Sequence, residues 1–274
     1  SDLMSYSEGW EGREPLRSGT HAPVLRQFRP HHPTDDGCVC AGRAVGTLLG
    51  QGARVCLGRD TRRSGPTVAG WVLKGLYTSG VEAIDYGIVP TPVLAALTRV
   101  GDFAAGVMIT ASHNPPEYNG IKLFDSEGVG FSRAQELSIE RLCAERSFAS
   151  GAGSIRHGDG TLKHYLETIP LDLARAAVDS GMKLLVDPGN GAASGFARTV
   201  FERLGLRVAT VNDEPDGLFP GRGAEPSALL PIVTYAGQPA AVVPLMTRAS
   251  VARVCGSAST MRSKLFQSRA ARPM

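Results

Sequence analysis

The sequence predicts an α/β fold: a three-layer α/β/α domain followed by an incomplete second α/β domain. Three observations carry this expectation. Apolar runs of strand length alternate with segments of helical periodicity, glycine and proline punctuate the joints, and polar, reactive residues gather just after a strand. Residues 53–58 read as a buried strand, 64–80 as a helix opened by Ser64 and closed by Gly80, and 81–88 as the next strand. Pro90-Thr91-Pro92 starts a short helix through Val100, Ala104–Thr110 forms a strand, Ile121–Asp125 another, and 132–148 a charged amphipathic helix. The Gly- and Ser-rich stretch 149–160 marks a boundary, with helical sequence over 161–181 beyond it. The second unit then reads as strand 183–187, helix 194–205 and strand 207–212, too little for an α/β domain of ordinary size.

The segment between two of these strands, Thr110-Ala111-Ser112-His113-Asn114-Pro115-Pro116-Glu117-Tyr118-Asn119-Gly120-Ile121-Lys122, concentrates the chemistry of the chain. Two prolines restrict the backbone behind Ser112, and hydrogen-bonding side chains crowd around it. In α/β sheets such loops beyond strand ends are where sites form. A Ser-His pair in a polar turn is also an ordinary turn, because hydroxyl and amide side chains bond local backbone. Lys122, before Leu123 and Phe124, reads equally as a solvated charge at a strand end, and Asp60 with Arg62 as a surface ion pair.

Composition narrows the classes. A net charge of +3 and 6% aromatic content give no polyanion-binding or base-stacking surface, so no nucleic-acid partner is expected. Cysteines at 38, 40, 56, 143 and 255 form no CxxC spacing and no disulfide framework, which points to reduced thiols and a cytoplasmic chain. No basic start leads into an apolar h-region, and no apolar window is long enough for a membrane span. Oligomeric state is not legible.

The loop wording TASHNPPEYNGIK closely resembles the phosphoserine loop of the α-D-phosphohexomutases, in particular the phosphomannomutase/phosphoglucomutase branch rather than the phosphoglucosamine mutases, which usually carry SASHNP. Gly58-Arg59-Asp60-Thr61-Arg62-Arg63-Ser64-Gly65 is similar to the family's GxDxRxS segment, and 183–192 and 216–223 look like the opening of its second domain. The resemblance runs over roughly 50–228. It implies a mixed sheet in the first domain, residues 20–150, then linker helices over 151–181 and a partial second domain over 182–228.

The resemblance implies a mutase that exchanges hexose 1-phosphate and hexose 6-phosphate of mannose or glucose. Ser112 is then the phosphate carrier, with Lys122 as general acid/base and His113 as a hydrogen-bonding neighbour. Arg62 is the cation of the phosphate site, and Asn114 and Asp60 line it. Hexose 1,6-bisphosphate is the intermediate and activator. The family binds one Mg²⁺ between the serine phosphate and three aspartates of a DGDADR loop. Ser112, through its phosphate, is the one ligand this chain supplies, since no DGDADR occurs in it.

Two stretches depart from the pattern. After Glu225 there is no Asp or Glu, and 229–274 reads as an atypical tail, frame-shifted or disordered. Phe28-Arg29 resembles the start of the family's FRxYDIRG segment, but Pro30 to Gly46 does not continue it. The expectation is a truncated mutase with low or no activity. The alternative is a non-catalytic fragment that binds phosphosugars or a protein.

Gly189-Asn190-Gly191 through Gly195, with Asp213 further on, also imitates a dinucleotide turn. Its spacing is GxGxxxG, and the turn fits better as a tight strand-to-helix joint.

Overall fold

The computed structural model describes residues 26–28, 35–169, 175–179, 181, 183–221, 223–224, 234–235, 238–239 and 242–244. Six strands form the first sheet: β1 (Arg26–Phe28), β2 (Arg54–Arg59), β3 (Glu82–Ile88), β4 (Ala105–Ile109), β5 (Asn119–Asp125) and β6 (Ser154–His157). Their spatial order is β1-β5-β4-β2-β3-β6. The strands from β4 to β6 along that order are parallel, while β5 runs antiparallel to both β4 and β1, so the sheet is mixed.

Alternation along the strands separates two apolar faces. Val55, Leu57, Val107, Ile109, Ile121 and Leu123 meet α1 (Asp35–Leu49), α2 (Gly65–Thr78) and α4 (Arg133–Glu145). Cys56, Met108 and Phe124 meet Leu94 of α3 (Thr91–Val100) on the other face. These are the three layers that the strand–helix alternation predicts. Helix α4 starts with a capping box, in which the Ser132 side chain accepts from the Gln135 backbone N–H and the Gln135 side chain accepts from Ser132 N–H. Such a cap is worth ~1 kcal/mol.

Helix α1 occupies part of the stretch that departs from the family pattern. Its seat on α2 requires two glycines. A Cβ on Gly42 would lie 2.2 Å from the Val72 carbonyl oxygen, and one on Gly75 would lie 2.3 Å from that of Val39. The two backbones therefore touch where any side chain would separate them. The 149–160 boundary also holds more structure than its composition suggests, because β6 lies inside it and pairs with β3.

Helices α5 (Thr161–Glu167) and α6 (Arg175–Asp179) follow β6 in the chain. The second unit has β7 (Lys183–Asp187), α7 (Phe196–Arg203) and β8 (Arg207–Thr210), with Leu184, Val186, Ala197 and Leu206 as its core. A short antiparallel pair, β9 (Thr234–Tyr235) with β10 (Gln238–Pro239), follows. Strand β11 (Val242–Pro244) then pairs in parallel with β7. This strand comes from the stretch read as an atypical tail, so the second unit extends beyond residue 228. The rest of that tail lies outside the described residues.

Candidate functional site

Parallel strands β2 and β4 are hydrogen-bonded neighbours, so the loops that follow them emerge side by side. Asp60 N–H donates to the Ile109 carbonyl at 3.1 Å, tying the two strand ends together. The chain then turns through Ala111 and Ser112 and returns as β5, with Thr110 N–H bonded to the Gly120 carbonyl at 2.9 Å.

Asp60 and Arg62 sit beneath this loop, at 8% and 1% exposure. The Asp60 carboxylate accepts from Arg62 Nε at 3.0 Å, from Arg62 backbone N–H at 3.0 Å and from the Thr110 hydroxyl at 2.6 Å. Burial pushes the Asp60 carboxyl upward, opposed by the Arg62 guanidinium and the Thr110 hydroxyl. Arg62 Nη2 donates to the carbonyls of Ser112 at 3.0 Å and Asn114 at 2.7 Å. Its Nη1 donates to the carbonyls of Pro115 and Tyr118.

These bonds occupy all five N–H donors of a guanidinium. Every donor of Arg62 is spent on protein acceptors, so Arg62 braces the loop from below and its charge lies under the serine turn. The surface ion pair that the sequence also allowed is a buried one. Asp60 holds Arg62 rather than presenting a free carboxylate.

Ser112 sits at the top of the brace with φ +58°, a left-handed conformation that costs a non-glycine residue on the order of 1–2 kcal/mol. Its N–H donates to Thr110 Oγ1 at 3.0 Å, and its carbonyl accepts from Arg62. The backbone is held on both sides, while the hydroxyl takes no part in the brace. Its Oγ lies 3.4 Å from Nδ1 of the exposed His113. Asn114 contributes its carbonyl to Arg62, and its N–H closes a turn onto the Ala111 carbonyl.

Lys122 stands on β5 opposite Met108 of β4, one residue pair from the strand end at Ile109 and Ile121. It is partly buried rather than solvated, and desolvation lowers its pKa against the opposing pull of Asp60. Thr110 is a member of the site that its residue type alone did not reveal. Its hydroxyl links the Asp60 carboxylate to the Ser112 N–H, and the signal is a threonine closing a strand two residues before a positive φ. The dinucleotide imitation is resolved differently: Asp213 accepts from Gly195 N–H at 2.9 Å, so this carboxylate is engaged by the turn itself.

The candidate site is thus a partly exposed serine hydroxyl in a left-handed turn at the end of an α/β/α sheet, over a buried Asp–Arg brace. Residues 25–150 match the family description "Phosphoglucomutase/phosphomannomutase, alpha/beta/alpha domain I", and residues 163–248 match its "alpha/beta/alpha domain II". The chain belongs to the phosphoglucomutase/phosphomannomutase family, whose members are isomerases.

It is 37% identical over 191 residues to the "Probable phosphoglucosamine mutase" of Methanobrevibacter smithii, covering 68% of this chain and 42% of that protein. It is 38% identical over 195 residues to the "Phosphoglucomutase/phosphomannomutase" of Thermococcus kodakarensis, again covering 68% and 42%. A crystal structure of a phosphoglucomutase/phosphomannomutase family protein from Burkholderia thailandensis superposes with TM-score 0.60 at 31% identity, over 72% of this chain and 44% of that one. The chain thus spans less than half the length of these relatives. Their names include both phosphoglucosamine and phosphomannomutase types, so they do not separate the branches.

Among the described residues no helix is long and apolar enough to cross a membrane. Among the same residues no group of three or more His, Cys, Asp or Glu side chains is arranged to hold a metal ion. The donors among the described residues do not make up the magnesium site that the resemblance implies.

Proposed function

We propose that Ser112 is the phosphoryl carrier of a phosphohexomutase that interconverts hexose 1-phosphate and hexose 6-phosphate through a hexose 1,6-bisphosphate. The sugar is mannose or glucose, on the TASHNP wording of the loop. The observation that carries this reading is the geometry of Ser112: both flanks of its backbone are anchored, its φ is +58°, and its hydroxyl stands outside the brace.

In the forward step a hexose hydroxyl attacks the phosphorus on Ser112. The new P–O bond forms to the sugar as the P–Oγ bond breaks, and the sugar hydroxyl loses its proton. The bisphosphate then turns over in the site and returns its other phosphoryl group to Ser112 Oγ. Lys122 is the acid/base of this cycle: it stands partly buried one residue pair from the end of the strand pair that leads into the serine loop, and burial lowers its pKa from the ordinary lysine value. His113 is a hydrogen-bonding neighbour of the phosphate, with the Asn114 side chain beside it.

Arg62 and Asp60 contribute by holding the loop rigid, which matters because phosphoryl transfer depends mainly on positioning and charge neutralisation. Magnesium is the cofactor implied by the family. The free cysteines among the described residues support a cytoplasmic chain.

A second reading is that the chain takes up a phosphoryl group or binds phosphosugars without sustained isomerisation. Incubation with radiolabelled glucose 1,6-bisphosphate tests the carrier role. Label retained by the wild-type chain and lost in Ser112→Ala is the expected result. Equal labelling of both, or none in the wild type, contradicts it. A coupled assay for glucose 6-phosphate made from glucose 1-phosphate then separates turnover from single capture.

A further inference from the structure

Turn 216–221 of the second unit lies against the segment that braces the serine loop. Gly217 makes this approach possible: a Cβ there would sit 2.4 Å from the Thr61 carbonyl oxygen, 2.8 Å from Arg63 N and 2.9 Å from Arg62 Cα. Asn190 pins the turn, its carbonyl accepting from Asp216 N–H at 2.9 Å and its side-chain oxygen from Gly221 N–H at 3.0 Å. The same carbonyl accepts from the Thr61 hydroxyl at 3.1 Å, which joins the turn to the Asp60–Arg62 segment. At the end of the turn Phe219 is 3% exposed with φ +53°, an unfavourable conformation for an aromatic residue. Its ring lies 5.2 Å from Arg62 Cζ.

The five N–H donors of Arg62 point along its edges and are all engaged, so the face of the guanidinium is what remains for contact. A guanidinium face is suited to an aromatic ring, whose quadrupole attracts the cation and whose body excludes water. We infer that Phe219 is a positioning residue for Ser112: by fixing the plane of the Arg62 guanidinium, it fixes the carbonyls of Ser112 and Asn114 that Arg62 holds. The second unit is then part of the phosphoryl site without touching the phosphoryl group. This rests on the reading of Ser112 as a carrier.

The test compares Phe219→Leu with pentafluorophenylalanine incorporated at position 219, which keeps the ring shape and reverses its quadrupole. The readouts are the rate of phosphoryl capture from glucose 1,6-bisphosphate and amide exchange over residues 110–120, with the urea midpoint as a control on folding. Both variants should capture roughly 2- to 30-fold more slowly, the range a desolvated cation–π contact supports. Their faster exchange should be confined to the serine loop. Unchanged capture in both variants, or slowing by leucine alone, overturns the inference and reduces Phe219 to a packing residue. If the wild type takes up no phosphoryl group, the carrier reading fails by itself. Loop exchange then decides the positioning role, since exchange unchanged in both variants overturns it.

Discussion

The loop after β4 and the turn after β7 begin with the same backbone device. Each carries a non-glycine residue in the left-handed region soon after the strand ends, Ser112 at φ +58° and Asn190 at φ +59°. Each is supported by a buried aspartate, Asp60 with three donors and Asp187, whose Oδ1 accepts from Gly189 N–H and Asn212 Nδ2. They differ in what remains of the side chain. Asn190 is 6% exposed and bonded at both ends of its amide, to Glu214 and Gly221. Ser112 is partly exposed, and its hydroxyl is left out of the brace. Backbone strain marks both turns, so strain alone does not identify a site. The distinguishing feature is a strained residue whose reactive atom is not consumed by the scaffold.

The strongest way to break this comparison is to exchange the side chains for alanine. Ser112→Ala should abolish phosphoryl capture altogether, because no acceptor oxygen remains, while changing stability by no more than ~0.5 kcal/mol, as for a surface substitution. Labelling with hexose 1,6-bisphosphate and a urea titration check the two halves of that statement. Arg62→Met attacks the brace instead. It leaves the Asp60 carboxylate buried without its cation, and should cost about 3–5 kcal/mol in chemical denaturation. Adding Asp60→Asn should recover part of the loss.

Asn190→Ala should cost about 1–3 kcal/mol, read as a lowered melting temperature, because buried backbone groups lose their partners. Capture should persist but slow, since the Ser112 hydroxyl is untouched while the turn that carries Phe219 loses its Gly221 anchor. A smaller effect is expected from Lys122, whose partial exposure screens it. Burial lowers its pKa below the ordinary 10.5, so the folded state carries a penalty for the ammonium at neutral pH. That penalty is relieved as pH rises through the depressed value toward 10.5, and stability gains over that window. Lys122→Met should remove this rising limb from a plot of denaturation midpoint against pH.

The strand and helix pattern from 53 to 148 was legible because period and punctuation agree there, and the serine loop because its polar density exceeds what a connector needs. Helix α1 was harder to read. His31-His32-Pro33 and three glycines, Gly37, Gly42 and Gly46, obscure it, and Gly42 serves a backbone contact with α2 that no periodicity reports. The burial of Arg62 was not legible, because sequence gives its charge but not its surroundings. Thr110 and Phe219 act through neighbours about 50 and 157 positions away in sequence, at Asp60 and Arg62, separations that only the fold closes. Strand β11 lies in sequence lacking acidic residues, where the short apolar run Ala240-Ala241-Val242-Val243 gives little by itself, and its pairing with β7 places it.

The central claim is that Ser112, alone among the hydroxyls near these turns, accepts a phosphoryl group. Peptide mapping by mass spectrometry after incubation with glucose 1,6-bisphosphate tests it most directly. The account predicts one added HPO₃ unit localised by fragment ions to Ser112, with Ser64, Thr110 and Ser194 unmodified. Phosphate on one of those residues instead, or on none, would contradict it.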